Sequence, residues 1–432
     1  MKKRYAQVGI GGRARFFYEA IASDFMETSE IVAFCDISQT RMDYANKLLK
    51  EEYGVSSVPT YFYTEFDRML DETKPDCVIV TSVDRTHDHY IIRAMEKGCD
   101  IVTEKPMTTD EEKAQAIIDC QKRTGRDLRV TFNYRYAPHN TKVRELLVND
   151  VIGEVFSVHF EWLLDTRHGA DYFRRWHRNK INSGGLLVHK STHHFDLVNF
   201  WLDTHPSKVF AYGDLKFYGR SNAEKRGVDK FYSRCLDSEA AKDDPFAIDL
   251  KSDETLRELY LNAEEDSGYI RDRSVFADDI SIEDTMGVLV KYKNGTILTY
   301  SLNAYMPWEG FNVSINGSKG RIELNVKENS YINAGGEKKN EGALGETALR
   351  VYPMFGNPYT VEITEKEGGH GGGDPILLND IFGIPEPDPL NRAASHVAGA
   401  MSVLTGIAAN KSIASGLEVK IDDLIKFPDQ DR

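Results

Sequence analysis

The sequence predicts an α/β chain, with a doubly wound parallel sheet first and then an α+β domain on a large, open, mainly antiparallel sheet. Three observations predict it. A glycine turn joins the first apolar strand to a helix at residues 8–14. Strand and helix patterns alternate without interruption as far as residue 132. Beyond that point the strands alternate in polarity from one residue to the next. The expected boundaries are 1–132 for the parallel sheet and 133–390 for the second domain, with an insertion over about 216–283. Residues 391–432 are expected to form a C-terminal helix and tail that pack back on the body.

The first strand, Tyr5-Ala6-Gln7, runs into Val8-Gly9-Ile10-Gly11-Gly12-Arg13-Ala14 and a helix start at Arg15. This is the G-x-G-x-x-A form of the dinucleotide fingerprint of a Rossmann sheet. Gly9 allows a turn that a side chain would obstruct, Gly11 and its neighbour Gly12 let backbone approach a pyrophosphate, and Ala14 lets the helix pack closely on the strand. A phosphate is expected on the helix N-terminus, where unpaired N–H groups favour negative charge. The second strand, Ile31 to Cys35, ends at Asp36, in the window where a carboxylate holds a ribose 2′-OH and repels a 2′-phosphate. NAD is therefore favoured over NADP, with Arg13 and Arg41 as the residues able to offset that repulsion.

A helix over Arg41 to Glu52, a short helix Phe66 to Glu72 and the apolar strand Asp76 to Thr81 follow. Then come a helix around His89 to Lys97, a strand Asp100 to Thr103, a helix Asp110 to Thr124 and a strand Asp127 to Phe132. In the second domain Val155 to Trp162, Thr285 to Tyr292, Thr296 to Asn303, Phe311 to Asn316 and Gly320 to Asn325 alternate like half-exposed strands, with Lys293-Asn294-Gly295 as a hairpin signal. The insertion is polar and acidic, with Leu256 to Glu264 as its clear helical patch. Pro389 to Ala409 reads as an alanine-rich helix.

A formal net charge of −14 gives phosphate-backbone binding no support, so nucleic acid is excluded as a partner. Cys35, Cys77, Cys99, Cys120 and Cys235 show no C-x-x-C spacing and read as reduced residues of a cytosolic protein. No run of about 18 apolar residues supplies a membrane span.

Glu104-Lys105-Pro106 closes the strand Asp100 to Thr103 at a carboxyl edge, where such sheets bind ligands. A helical wheel over residues 187–202 places Leu187, Ser191, Phe195, Val198 and Leu202 on one face and His189, His193 and Asp196 on the other. Histidines four apart are also a metal-ligand spacing. No Glu follows the first histidine in the H-E-x-x-H manner and no third ligand is evident locally, so no metal is expected.

The glycine turn, Thr81 with His87 after it, Glu104-Lys105-Pro106, and Gly184-Gly185 before a histidine-bearing helix together resemble the glucose-fructose oxidoreductase/inositol dehydrogenase/MocA family. The resemblance implies that Thr81, His87, Glu104, Lys105 and Asn133 border the cofactor, and that Lys105 and His193 line the hydride-transfer site. The aspartate of the family's Asp-x-x-x-His pair falls on His189, a departure that deprives His193 of an anionic neighbour. It further implies an NAD-dependent enzyme oxidising a secondary hydroxyl of a sugar, polyol or glycoside, with Arg135 reaching the site; Trp176, whose ring face can stack on a sugar, Lys190, a donor to hydroxyls, and His370 in the glycine loop suit a carbohydrate by their own chemistry. Two other readings stay open, a glycosidase or lyase using transient oxidation and a non-catalytic nucleotide-binding regulator. Gly368 to Asp374 is either a linker or a loop whose backbone approaches a ligand. The family associates through its sheet, so a homodimer or homotetramer is expected.

Overall fold

The computed structural model describes residues 2–329, 343–364, 368–384 and 386–427. The first domain is built from β1 (Lys3–Val8), α1 (Arg15–Ala22), β2 (Ser29–Asp36), α2 (Gln39–Tyr53), β3 (Thr60–Phe62), α3 (Phe66–Thr73) and β4 (Cys77–Val80). It continues through α4 (His87–Glu96), β5 (Asp100–Thr103), α5 (Glu111–Thr124) and β6 (Leu128–Val130). The second contains α6 (Pro138–Val148), β7 (Val155–Asp165), α7 (Thr166–Arg174), α8 (Leu186–His189), α9 (Thr192–Leu202), β8 (Pro206–Asp214), β9 (Thr285–Tyr292) and β10 (Ile297–Met306). After these come β11 (Glu309–Gly317), β12 (Gly320–Asn329), β13 (Ala343–Pro353), β14 (Tyr359–Val361), α10 (Gly369–Phe382), β15 (Ala394–Ser395), α11 (His396–Ser415) and β16 (Val419–Lys420).

The first sheet has the order β15-β6-β5-β4-β1-β2-β3. Its strands are parallel except β15, which pairs antiparallel with β6. β4 reads Cys-Val-Ile-Val because helices cover it on both faces, and all four residues are buried. Helix ends follow local chemistry. Ser38 Oγ accepts from the Arg41 N–H at the start of α2, and Gly54, at φ 67°, ends it. Strand order reverses between β1 and β4, the switch point where ligands of such sheets bind.

The second sheet has the order β14-β13-β12-β11-β7-β10-β9-β8-β16 and is antiparallel except where β7 meets β10. In β9 Met286, Val288, Val290 and Tyr292 point inward while their neighbours stay exposed, the period-2 pattern of a sheet covered on one face. Helix α11 is long and apolar enough to cross a bilayer by composition, but 67% of its apolar window is buried inside the protein, where it packs on β8, α8 and α9.

Three local expectations change, and one left open is narrowed. The alanine-rich segment is not helical before His396. Asp388 accepts from the Ala393 N–H at 2.9 Å, Asn391 sits at φ 57°, and Ala394 then pairs with Val130 as the antiparallel edge of the first sheet. The helix over 187–202 is two helices broken at Lys190 and Ser191, and α9 is buried on all sides rather than along one stripe. Asp196 therefore turns away from the two histidines, toward Arg135. The glycine stretch is no linker. It forms the kinked first turns of α10, with His370, Gly371 and Gly372 at positive φ, and a Cβ on Gly373 would lie 2.6 Å from the Asn133 carbonyl oxygen, so the glycine is what lets the two backbones touch.

Candidate active site

A cleft of about 1320 Å³ runs between the carboxyl ends of β1, β2, β4 and β5 and the helices and strands of the second domain. At one end lies the glycine turn. Gly9 has φ 84°, and a Cβ there would sit 2.4 Å from Ser82 N and Cα, so only glycine fits. Thr81 Oγ donates to the Gly9 carbonyl at 2.7 Å, and Gln7 Nε2 donates to both Thr81 Oγ and the Ala14 carbonyl at 3.1 Å. Gln7, which the sequence does not single out, thus braces the turn from below. A Cβ on Gly11 would meet nothing within 4 Å, so that space belongs to the cleft.

Asp36 Oδ2 accepts from the Ile10 N–H at 2.5 Å and Oδ1 from the Ser38 N–H at 2.8 Å. Burial pushes this carboxyl up, opposed by Arg41, whose guanidinium lies 3.6 Å away. Arg13 is elsewhere. Its Nε donates to Glu104 Oε1 at 2.7 Å, so of the two arginines expected to offset a 2′-phosphate only Arg41 stands beside Asp36. Asn133 lines the cleft with its Oδ1 buried and without a protein partner, while its Nδ2 donates to Asp374 at 2.7 Å. An open glycine turn at a helix start, a carboxylate at the end of β2 and an orphaned acceptor fit a dinucleotide. His87 serves that site from beneath. Its ring nitrogens face the carbonyl oxygens of Pro106 at 2.9 Å and Ser82 at 3.0 Å, tying the loops after β4 and β5 together and leaving neither nitrogen for a ligand.

At the other end Lys105, His189, Lys190, His193, Trp176 and His370 all line the same cleft. Lys105 Nζ donates to the His189 carbonyl at 3.1 Å, and burial pushes this amine down to about 8. His189 Nδ1 lies 2.5 Å from Asp84 Oδ2, so a carboxylate stands behind the position where the family has its own. That carboxylate, from the loop after β4, faces His189; the charged neighbours acting on His193 are the Lys105 and Lys190 amines. His193 packs its ring 4.9 Å from that of Tyr134, and burial, with Lys105 and Lys190 nearby, holds it well below the usual imidazole range. Lys190 Nζ sits 4.4 Å over the Trp162 ring, and His370 Nδ1 is 3.0 Å from Asp374 Oδ2.

Arg135 is not in the cleft. Its Nε and Nη2 donate to the two oxygens of Asp196, both at 2.6 Å and buried, so it pins α9 instead of meeting a ligand. The cleft also holds residues that the sequence reading missed. Glu309 and Glu328 stand opposite each other across β11 and β12, with His168 Nδ1 at 2.6 Å from Glu309 and the Tyr134 hydroxyl donating to Glu328 at 3.0 Å. The ligand atoms of Asp84, His177 and His189 lie within 4.8 Å of one another. Asp84 Oδ2 and His189 Nδ1 are hydrogen-bonded at 2.5 Å, and the Lys105 amine lies against the same ring.

The insertion closes the nucleotide end. Leu250, Leu256, Leu259 and Tyr260 pack with Tyr44 and Leu48 of α2. Arg41 Nε donates to the Leu259 carbonyl at 2.9 Å and Ser38 Oγ to Asp266 at 2.7 Å. The Tyr260 hydroxyl would lie 2.8 Å from a Cβ on Gly12, so this glycine makes room for the roof.

Fold and cleft define a two-domain, nucleotide-binding oxidoreductase. Residues 3–132 match the family model of the oxidoreductase NAD-binding Rossmann fold, and residues 144–421 match that of the oxidoreductase C-terminal alpha/beta domain. The chain belongs to the glucose-fructose oxidoreductase/inositol dehydrogenase/MocA family, and its first domain is NAD-binding. It is 37% identical over 433 residues to YteT of Bacillus subtilis (strain 168), covering 97% of this chain and 98% of that protein. It is 31% identical over 173 residues to the D-glucoside 3-dehydrogenase of Escherichia coli (strain K12), 40% of this chain and 46% of that protein. The solved aldose-aldose oxidoreductase of Caulobacter crescentus shares the fold, with a TM-score of 0.63 and 17% identity over 97% of this chain and 100% of that one.

Proposed function

We propose that this chain transfers hydride between NAD and a secondary hydroxyl of a sugar, polyol or glycoside, with Lys105 and His193 at the reacting oxygen. The observation that carries the proposal is that the Lys105 amine and the His189 and His193 rings open into the cleft that holds the glycine turn. The nicotinamide supplies the hydride acceptor when bound. A neutral His193 accepts the hydroxyl proton, and the Lys105 ammonium stabilises the oxygen as it gains alkoxide character. Substrate recognition falls to the ring of Trp176, to Lys190, and to the carboxylates of Glu309 and Glu328, acceptors for adjacent hydroxyls.

The pH dependence follows. His193, held low, stays neutral well below its usual range, while the Lys105 ammonium is lost near its value of about 8. The profile of kcat/KM is therefore expected to hold through the acid side and fall above about pH 8. An alkaline limb above pH 10 contradicts the ammonium's role.

The roof over the nucleotide end favours a second reading, in which the reduced nucleotide stays bound and returns its hydride after a glycosidic bond has broken. A screen of sugars, polyols and glycosides with NAD, following both reduced nucleotide and cleavage products, separates the two. Net NADH supports the dehydrogenase and cleavage without net NADH the redox-assisted reaction. Turnover of neither kind leaves a nucleotide-binding regulator. Leu259→Asp, which places a charge in the contact between insertion and α2, is expected to speed nucleotide release at least roughly tenfold, a loss of about 1.4 kcal/mol. Release unchanged by it means the insertion does not retain the nucleotide.

We further propose a cytosolic protein whose open sheet face, lined by His159, Glu161, Thr299, Asn312, Arg321 and Glu323, meets a second copy. A monomer mass in light scattering at micromolar concentration contradicts this.

A further inference from the structure

We propose that Asp84, acting through His189, sets whether Lys105 is an ammonium or an amine, so that the three residues form one proton relay beside the reacting oxygen. The inference rests on the function proposed above for Lys105. Asp84 comes from the loop after β4, Lys105 from the loop after β5, and His189 from the end of α8, so the relay spans the line where the two domains meet. Asp84 Oδ2 lies 2.5 Å from His189 Nδ1, and His189 Nε2 lies 3.5 Å from Lys105 Nζ, the long end of hydrogen bonding and a contact of the kind that tightens once a ligand is bound. Asp84 and His189 are 3% and 9% exposed.

An imidazole between a carboxylate and an amine has two neutral arrangements. In one, Lys105 is an ammonium donating to Nε2, and the Nδ1 proton is donated to the Asp84 carboxylate. In the other, the Lys105 proton has passed to Nε2 while the Nδ1 proton has passed to Asp84, leaving an amine and a carboxylic acid. Two protons move, none enters or leaves, and an ion pair becomes two neutral groups. Burial favours the neutral arrangement, in keeping with the lowered Lys105 and the raised Asp84. The relay thus lets Lys105 hold its ammonium proton against the reacting oxygen, or pass it back toward Asp84, without water entering the cleft.

The other charged and titratable groups around Lys105 are Glu104 and Arg13 from the first domain and His177, His193 and Lys190 from the second, with Arg175 also facing Asp84. Asp84 is the group at His189 Nδ1 and Lys105 the group at Nε2, so these two together set which ring nitrogen carries the proton.

Asp84→Asn is the test. An amide accepts no proton from Nδ1 and removes a charge that favours the ammonium, so the alkaline limb of kcat/KM is expected to move down by about one pH unit, with KM for the carbohydrate within about twofold of wild type. In a His189→Gln background the same substitution is expected to give a clearly smaller shift, the part that the Asp84 charge exerts on Lys105 directly through space. A readout free of turnover is the pH dependence of Lys105 alkylation in the nucleotide-free protein, followed by peptide mass, which is expected to move by the same amount. A lowered Tm or kcat with limb and alkylation profile unmoved overturns the relay, as does an equal shift in the His189→Gln background. If Lys105→Met abolishes turnover while Asp84→Asn moves neither profile, the relay alone fails. If Lys105→Met leaves turnover intact, the function itself fails.

Discussion

Lys105→Met is expected to lower kcat/KM for the carbohydrate by roughly 10³-fold while leaving nucleotide affinity within a few-fold of wild type. The amine stands at the end of β5, where the first sheet presents it to the second domain, and its hydrogen bond goes to the His189 backbone and not to the nucleotide half of the cleft. Methionine keeps the length of the stem and its packing and removes the donor. The loss therefore falls on the transition state, where the oxygen carries charge, so kcat and kcat/KM drop together. A parallel rise in KM with kcat unchanged would mean that Lys105 only holds the substrate. Nucleotide titration and steady-state kinetics on the same preparation separate these outcomes.

Gly9→Ala is expected to remove nucleotide binding and to destabilise the first domain by about 3 kcal/mol, whereas Gly11→Ala removes binding alone. The contrast comes from what each Cβ meets. At Gly9 a methyl group would strike Ser82 N and Cα at 2.4 Å and the Thr81 carbonyl carbon at 2.6 Å, at a φ of 84° that a side chain resists. All of these are backbone atoms at the end of β4, so relief requires the two central strands to part. At Gly11 a methyl group touches no protein atom and simply occupies the phosphate's space. For a domain of this size 3 kcal/mol corresponds to a fall in Tm of roughly 6–12 °C for Gly9→Ala. Equal melting temperatures for the two variants would show that the turn is not braced as described.

What was legible in the sequence was what is local. The glycine turn, Asp36 at the end of β2 and the lysine closing β5 each sit at a fixed distance from a strand whose apolar run announces it. Lys105 and His193, 88 positions apart, were paired by resemblance, and periodicity had no part in that. What was hidden depends on partners far along the chain. Arg135 looked free to meet a substrate because its carboxylate partner, Asp196, lies 61 residues later. Asp84 carries no signal in its neighbourhood, since only the closure of the second domain brings His189 to it. Glu309 and Glu328 read as ordinary strand residues until the register of β11 and β12 sets them opposite each other in the cleft. The break at Lys190 and Ser191 was masked because a helix buried all round has no polar face to reveal an interruption. The acidic insertion offered composition without meaning, and its role over the nucleotide end rests on Leu259 and Tyr260 meeting α2.

In the proposed reaction a lysine and a histidine from different domains act on one oxygen. The most direct measurement is a crystal structure of the complex with NAD and a carbohydrate identified by the screen. The expected result is a substrate hydroxyl within about 2.6–3.2 Å of both Lys105 Nζ and a ring nitrogen of His193, with its carbon facing the nicotinamide. A carbohydrate bound in the cleft with its hydroxyls beyond reach of both nitrogens would contradict it.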